Sequence, residues 1–254
     1  MGSSAIVSEP EHSSLTRPPA VILSCEHGGS QVPEAYAPLF RNKGRLLRSH
    51  RALDTGSLPV ARILAERMKA PLYASETSRL LVDLNRSVHH RNLFSEITRE
   101  LPRAVKARIL KRIYLPYRRK ITARIGHLVS KGSGVVHISV HSFVPVLEGK
   151  VRNTDIGLLY DPGRTPEKEF CRRWKGRLQT MDAGLRTRCN YPYLGRSDGF
   201  TTWLRHRFSA IEYLGIELEL NQRIVASGKS SRIAAITFTL AESLSATLKG
   251  WLNN

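Results

Sequence analysis

Two histidines sit just past the ends of short apolar runs. His27 closes Val21-Ile-Leu-Ser-Cys-Glu-His and precedes Gly28-Gly29, and His141 closes Val135-Val-His-Ile-Ser-Val-His. A third run, Ile216-Glu-Leu-Glu-Leu, carries Glu219 near its end. Buried parallel strands expose functional groups at such carboxyl ends. A catalytic zinc takes about three ligands from imidazole and carboxylate and leaves a position for water. The two histidines are therefore candidate ligands of one Zn2+ per chain, and the chain reads as a metal-dependent hydrolase.

The third ligand should be a carboxylate, and two residues compete for it. Asp54, in His50-Arg-Ala-Leu-Asp-Thr-Gly, would bring a donor from a third separate loop, although it also suits the N-cap of a helix beginning near Gly56. Glu34 follows Pro33 and equally suits the first turn of a helix. Asp54 is preferred and Glu34 is the alternative. His137 shares a strand face with Ser139 and His141 by the two-residue period and reads as a packed or supporting residue. Glu217 and Glu219 also share a face, and Glu219, nearer the strand end, is the candidate general base. In Arg79-Leu-Leu-Val-Asp-Leu-Asn-Arg, Arg86 offers a fork of donors for a substrate carboxylate, against the plainer alternative of an Asp83–Arg86 pair.

These residues need a scaffold. Strand-like runs occupy 21–25, 71–75, 79–83, 135–140, 155–160 and 211–220, and helical patterns occupy 56–69, 102–131, 166–181, 199–207 and 231–252. Alternation of strands with helices predicts an α/β fold of three layers, a mostly parallel mixed sheet with helices on both faces. Pro116 should kink or split the long helix. Residues 1–18, rich in Ser, Pro and Glu, read as a flexible leader ahead of one domain over 19–254.

Composition narrows the function classes. With 254 residues and 41% hydrophobic content the chain can bury one large core. It has no apolar run of about 18 residues and no signal-like start, so no membrane role is expected and a cytoplasmic location is. Its three cysteines lack metal-ribbon spacing and read as reduced thiols. Forty Lys and Arg against 21 Asp and Glu give a net charge of +19, a field that favours anionic partners. The basic stretch 102–124 reads as a solvated helix face. It has few interleaved aromatics and no nucleic-acid-binding signature, so nucleic acid is the weaker expectation and a small anionic substrate the stronger.

Cys25-Glu-His-Gly-Gly, Ser78-Arg-Leu-Leu-Val-Asp-Leu-Asn-Arg, His141-Ser-Phe-Val-Pro, Asp155-Ile-Gly-Leu-Leu-Tyr and Asn190-Tyr-Pro-Tyr together resemble the N-formylglutamate amidohydrolase family, from about Val21 to about Ile224. That family is in turn similar to zinc carboxypeptidases and aspartoacylases. The resemblance implies zinc at His27 and His141, a substrate carboxylate at Asn85 and Arg86, a base at Glu219, and Arg152 as a second anion contact or oxyanion stabiliser. Its reference substrate is an N-acyl amino acid, and a zinc peptidase or amidase acting on a cell-wall peptide is the nearest alternative. Zinc carboxypeptidases place a glutamate three residues after the first histidine; here that position is Ser30, so their template does not assign the third ligand.

Overall fold

Along the strand β3 (Ser133–Phe143) every residue is buried, yet its side chains divide by parity. Val136, Ile138 and Val140 enter the largest apolar cluster, while His137, Ser139 and His141 point to the other face, where Val135 joins a second cluster. β8 (Tyr213–Asn221) behaves alike: Leu214, Ile216, Leu218 and Leu220 face the large core, and Tyr213, Glu217 and Glu219 face away. The sheet thus has one apolar face and one face on which apolar packing gives way to polar groups toward the strand ends.

The computed structural model describes residues 17–226 and 230–252. Its main sheet has six strands in the order β2-β1-β3-β8-β6-β7, with β1 spanning Arg17–Cys25, β2 Leu72–Ala74, β6 Ile156–Leu159 and β7 Thr187–Cys189. β2, β1, β3 and β8 run parallel, β6 is antiparallel to β8, and β7 is parallel to β6. A separate hairpin joins β4 (Val146–Leu147) to β5 (Lys150–Val151). Three short elements, a 3-10 helix Glu34–Phe40, α1 (Gly44–Leu47) and α7 (Gln222–Val225), line connections. α2 (Ser57–Met68), α5 (Thr165–Met181) and α8 (Ser230–Leu252) cover the apolar face, and Trp174 of α5 is fully buried there with its indole N–H donated to Ser243 of α8 at 2.9 Å. On the other face Ile121 and Ile125 of α4 (Leu115–Ser130) and Phe200 and Leu204 of α6 (Phe200–Arg205) pack on Ile22, Val135 and Tyr213. The architecture is the expected mixed, mostly parallel sheet between two helical layers.

One expectation needs correction. Residues 79–83 form turns rather than a strand: Arg79 N–H bonds to Ala52 O at 3.2 Å and Leu81 N–H to Ser78 O at 3.0 Å. Leu80, Leu81, Val82 and Leu84 are apolar because they fill a satellite core with Phe40, Ile109 and Tyr114, so the run signals burial without sheet pairing. The helix expected at 102–131 is α3 (Arg103–Ile109), a π-helical turn Leu110–Tyr114, then α4, with Pro116 in the first turn of α4. A proline ring clashes with the carbonyl four residues back, and the wider turn just upstream accommodates it. Its basic residues are mostly exposed, as expected of a solvated face, but Arg118 is only 3% exposed. The expected leader lies outside the described residues except for Arg17 and Pro18, which begin β1. Among the described residues no helix is long and apolar enough to cross a membrane.

Candidate metal centre and substrate cavity

β1 and β3 are adjacent parallel strands, with Ser24 opposite Ser139, so both chains leave the sheet at the same edge and deliver His27 and His141 side by side. Their ring centroids lie 5.1 Å apart. Past β1 the chain must run against the 75–77 segment: Gly28 N–H bonds to Ser75 O at 3.0 Å, and a Cβ on Gly29 would lie 2.6 Å from Glu76 O. The glycine pair serves this close approach. Asp54 arrives from the loop before α2, where Gly56 in a left-handed conformation (φ 84°) holds the N-cap position without a side-chain cap bond. The Asp54 carboxylate is therefore not spent on capping. Its Oδ2 lies 3.3 Å from His27 Nδ1 and 2.9 Å from His141 Nδ1, and the ligand atoms of these three buried residues all fall within 4.8 Å of one another. Two imidazoles and one carboxylate converging in this way form a donor set suited to a divalent cation.

The other ring nitrogens are held as a metal site requires. His27 Nε2 lies 2.7 Å from Asp83 Oδ1, and His141 Nε2 lies 2.9 Å from Ser139 Oγ and 3.3 Å from Glu26 Oε2. A carboxylate on the far nitrogen fixes ring orientation and tautomer and raises the basicity of the near one. Ser139 also donates to Glu26 at 2.6 Å, and the Tyr117 hydroxyl of α4 donates to the other Glu26 oxygen at 3.0 Å. Burial opposes ionisation of Glu26, but His141 and Ser139 hold its carboxyl well below the usual range. Burial likewise works against the charged form of His141, yet the bond to Glu26 and its charge raise this imidazole to about 9. His27 goes the other way, to about 4, through burial and then the nearby Arg79 guanidinium. A cation bound by His141 would compete with that proton. Arg79, partly exposed beside this group, pairs with Asp54, and its buried Nε has no partner.

Glu219 stands opposite His141 in the β3–β8 register and is 6% exposed. Its Oε2 has no hydrogen-bond partner, and burial, with Glu217 adding to it against the pull of His141, raises its carboxyl to about 7. A carboxylate so placed can exchange a proton near neutral pH. Across the cavity the Asp83–Arg86 turn presents its side chains: Asn85 Oδ1 accepts the Phe200 N–H at 2.7 Å, leaving its amide nitrogen as a donor, and Arg86 Nη1 donates to Asp198 O at 3.1 Å. Arg118 braces this turn from behind, donating to Leu84 O at 3.1 Å and Arg86 O at 3.0 Å. The Arg86–Asp83 pair is present as well, at 3.9 Å. His27, Asp54, His141, Asn85, Arg86 and Glu219 all line one cavity of about 280 Å³.

Two candidates stand apart. Glu34 is exposed on its 3-10 helix and does not line the cavity, so Asp54 rather than the alternative meets the histidines. Arg152, just after β5, is also outside the lining; its guanidinium stacks 5.1 Å above the Tyr193 ring and donates to a Tyr193 hydroxyl at 2.9 Å. His137 is a fully buried packing residue between Tyr213 OH (2.7 Å) and Ser24 Oγ (2.8 Å). Sequence reasoning missed Arg79 and the supporting roles of Asp83, Glu26 and Ser139. Ser139 was legible by its parity with His141, whereas Arg79 gave no signal.

Among curated proteins none matches the chain in sequence. Solved structures do. The Agrobacterium tumefaciens gene product Atu2144 is 28% identical, with 94% of each chain covered and a TM-score of 0.78. The N-formylglutamate amidohydrolase from Ralstonia eutropha JMP134 is 17% identical, with 93% of this chain and 97% of that chain covered and a TM-score of 0.67. A metallo-carboxypeptidase from Burkholderia cenocepacia superposes more loosely, with 14% identity, 96% of this chain and 60% of that chain covered and a TM-score of 0.42. The N-formylglutamate amidohydrolase family itself matches residues 19–226, a span that takes in all of the sheet but the first two residues of β1 and every residue lining the cavity. The chain belongs to that family, and it is a hydrolase acting on carbon–nitrogen bonds.

Proposed function

We propose that the chain is a zinc-dependent amidohydrolase that cleaves the amide bond of a small N-acyl amino acid, with N-formylglutamate as the reference compound. The observation that carries this reading is the convergence of His27, Asp54 and His141 in the same cavity as the unpartnered Glu219 carboxylate and the Asn85–Arg86 donors. Zinc held by those three residues supplies Lewis acidity toward the acyl oxygen and acidifies water. Glu219 takes the proton from the attacking water and returns it to the departing amine nitrogen. Asn85 and Arg86 hold the substrate carboxylate and so fix the amide relative to Glu219. Arg79, inside the cavity, is the cation placed to meet charge developing on the acyl oxygen. Arg152, resting on Tyr193, touches substrate only at the rim.

A cavity of about 280 Å³ suits an acylated amino acid better than a peptide chain, which weighs against the cell-wall peptide alternative. The exposed basic residues of α3 and α4 lie outside this cavity, and the +19 net charge draws anions toward the protein at low salt. Metal analysis with a formate-release assay tests the reading. About one zinc per chain is expected, with hydrolysis of N-formyl amino acids lost to a chelator and restored by zinc. Undiminished hydrolysis after chelation, or a metal-free chain that binds DNA with a steep salt dependence, overturns it.

A further inference from the structure

The lining residues carry an uneven set of charges. The cations are Arg79, paired with Asp54 beside the metal group, and Arg86. One guanidinium is therefore left to meet the carboxylate of a substrate. Of the carboxylates, Asp54 and Asp83 are engaged with imidazoles, Glu219 serves as the base, and Asp198 Oδ2 accepts the Ser87 N–H at 3.0 Å. Glu217 has no task in that scheme. Its Oε1 accepts the Thr201 hydroxyl at 2.9 Å, and among the described residues no Lys or Arg forms an ion pair with it. It is partly exposed and lines the cavity.

Position makes this carboxylate a recognition group. Glu217 stands opposite Ser139 as Glu219 stands opposite His141, two residues further along the same face and so about 7 Å apart. It also borders the carboxylate-binding corner. A Cβ on Gly199 would lie 2.9 Å from Glu217 Oε1 and 3.4 Å from Asn85 Oδ1, so both flank one glycine. A ligand whose carboxylate rests on Asn85 and Arg86 therefore meets Glu217 within its own length.

Resting on the amidohydrolase reading, we propose that the preferred substrate contains an amino acid with one carboxylate, bound by Asn85 and Arg86, and one cationic group, bound by Glu217. A dicarboxylate such as N-formylglutamate would turn its second carboxylate toward Glu217 and Asp198 with no free cation there, and like charges brought together across a site oppose binding. The cation can sit on the side chain of an Nα-acylated amino acid, or it can be the α-ammonium of one acylated on its side chain. Nα-formyl-L-lysine and Nε-formyl-L-lysine separate these two.

Affinity tests the inference without turnover. In the zinc-loaded Glu219→Gln protein, calorimetry with Nα-formyl-L-lysine, Nε-formyl-L-lysine, Nα-formyl-L-norleucine and N-formyl-L-glutamate should place one of the lysine compounds tenfold or more tighter than norleucine, with glutamate weakest. Adding Glu217→Gln should bring the favoured lysine compound down to the norleucine level. Tightest binding of N-formylglutamate, or a lysine preference that survives Glu217→Gln, overturns the proposal. Turnover by the wild-type enzyme is a separate readout: absence of hydrolysis of all four overturns the amidohydrolase reading, while hydrolysis without the cation preference overturns this inference alone.

Discussion

Glu219 is an expensive residue to fold, and replacing it by glutamine separates its cost from its use. In the unfolded chain the carboxyl ionises near 4.5; in the native protein burial moves it to about 7. Between those values the native state binds more protons than the unfolded one. The stability tied to this group is thus complete below about 4.5 and is lost as pH rises through about 7. The displacement corresponds to about 3 kcal/mol at pH 8, or roughly 6–12 °C in Tm for a domain of this size. Glu219→Gln keeps the shape and removes the charge, so the metal-free variant should be the more stable protein above pH 7. Part of the gain is offset because Oε2 has no partner to receive an amide. Urea unfolding from pH 5 to pH 9 in a chelator reads the difference, which should grow with pH and fade toward pH 5. With zinc restored the variant should keep its metal and lose at least about a hundredfold in kcat. A stability difference that is flat with pH, or that favours glutamate at pH 8, would refute the burial argument, and full activity would refute the assignment of the base.

Two further substitutions probe the supports of the site. Asp83→Asn removes the carboxylate 2.7 Å from His27 Nε2 and should weaken zinc binding by about 10–100-fold in competition with a chromophoric chelator; unchanged affinity would deny Asp83 its orienting role. Arg205→Ala leaves Glu167, which is wholly buried and bonded to Arg205 Nε at 3.0 Å, without its partner, and should cost about 3–5 kcal/mol by urea denaturation. A loss under about 1 kcal/mol would mean that water or Arg164, 3.4 Å from Glu167, takes over.

Why some of this was legible in the sequence follows from where the information lies. Strand periodicity reports which face a side chain takes, and β3 and β8 are long enough for the pattern to place His141 and Glu219 on one side. Strand order is set by crossovers whose lengths carry no such signal. That β8 lies between β3 and β6, and that β6 runs antiparallel to it, was therefore not readable. The 79–83 run misled because an apolar segment filling a satellite core looks the same as one filling a sheet. β7, three residues long, is too short to show a period. Asp54 was legible as a candidate but ambiguous, since a carboxylate just before a helix serves a cap or a metal equally well; the left-handed Gly56 removes the first option.

The basic helix shows how a residue's environment outweighs the composition around it. Arg118 lies among exposed cations of α4, yet it turns inward and packs its guanidinium over Phe200 at 4.3 Å and Trp203 at 4.8 Å. There it donates to the carbonyls of Leu84 and Arg86. Burying an arginine is costly unless its donors are met; here the backbone oxygens meet Nη1, while Nη2 has no hydrogen-bond partner and the guanidinium rests on ring faces. Its neighbour Tyr117 reaches Glu26, which holds His141. Consecutive residues of one helix thus secure the Asp83–Arg86 turn and the acid behind His141. This gives α4 a role in the hydrolase that needs no nucleic acid to explain it, and it ties the spacing between Arg86 and the His27–Asp54–His141 group to the seating of a single helix.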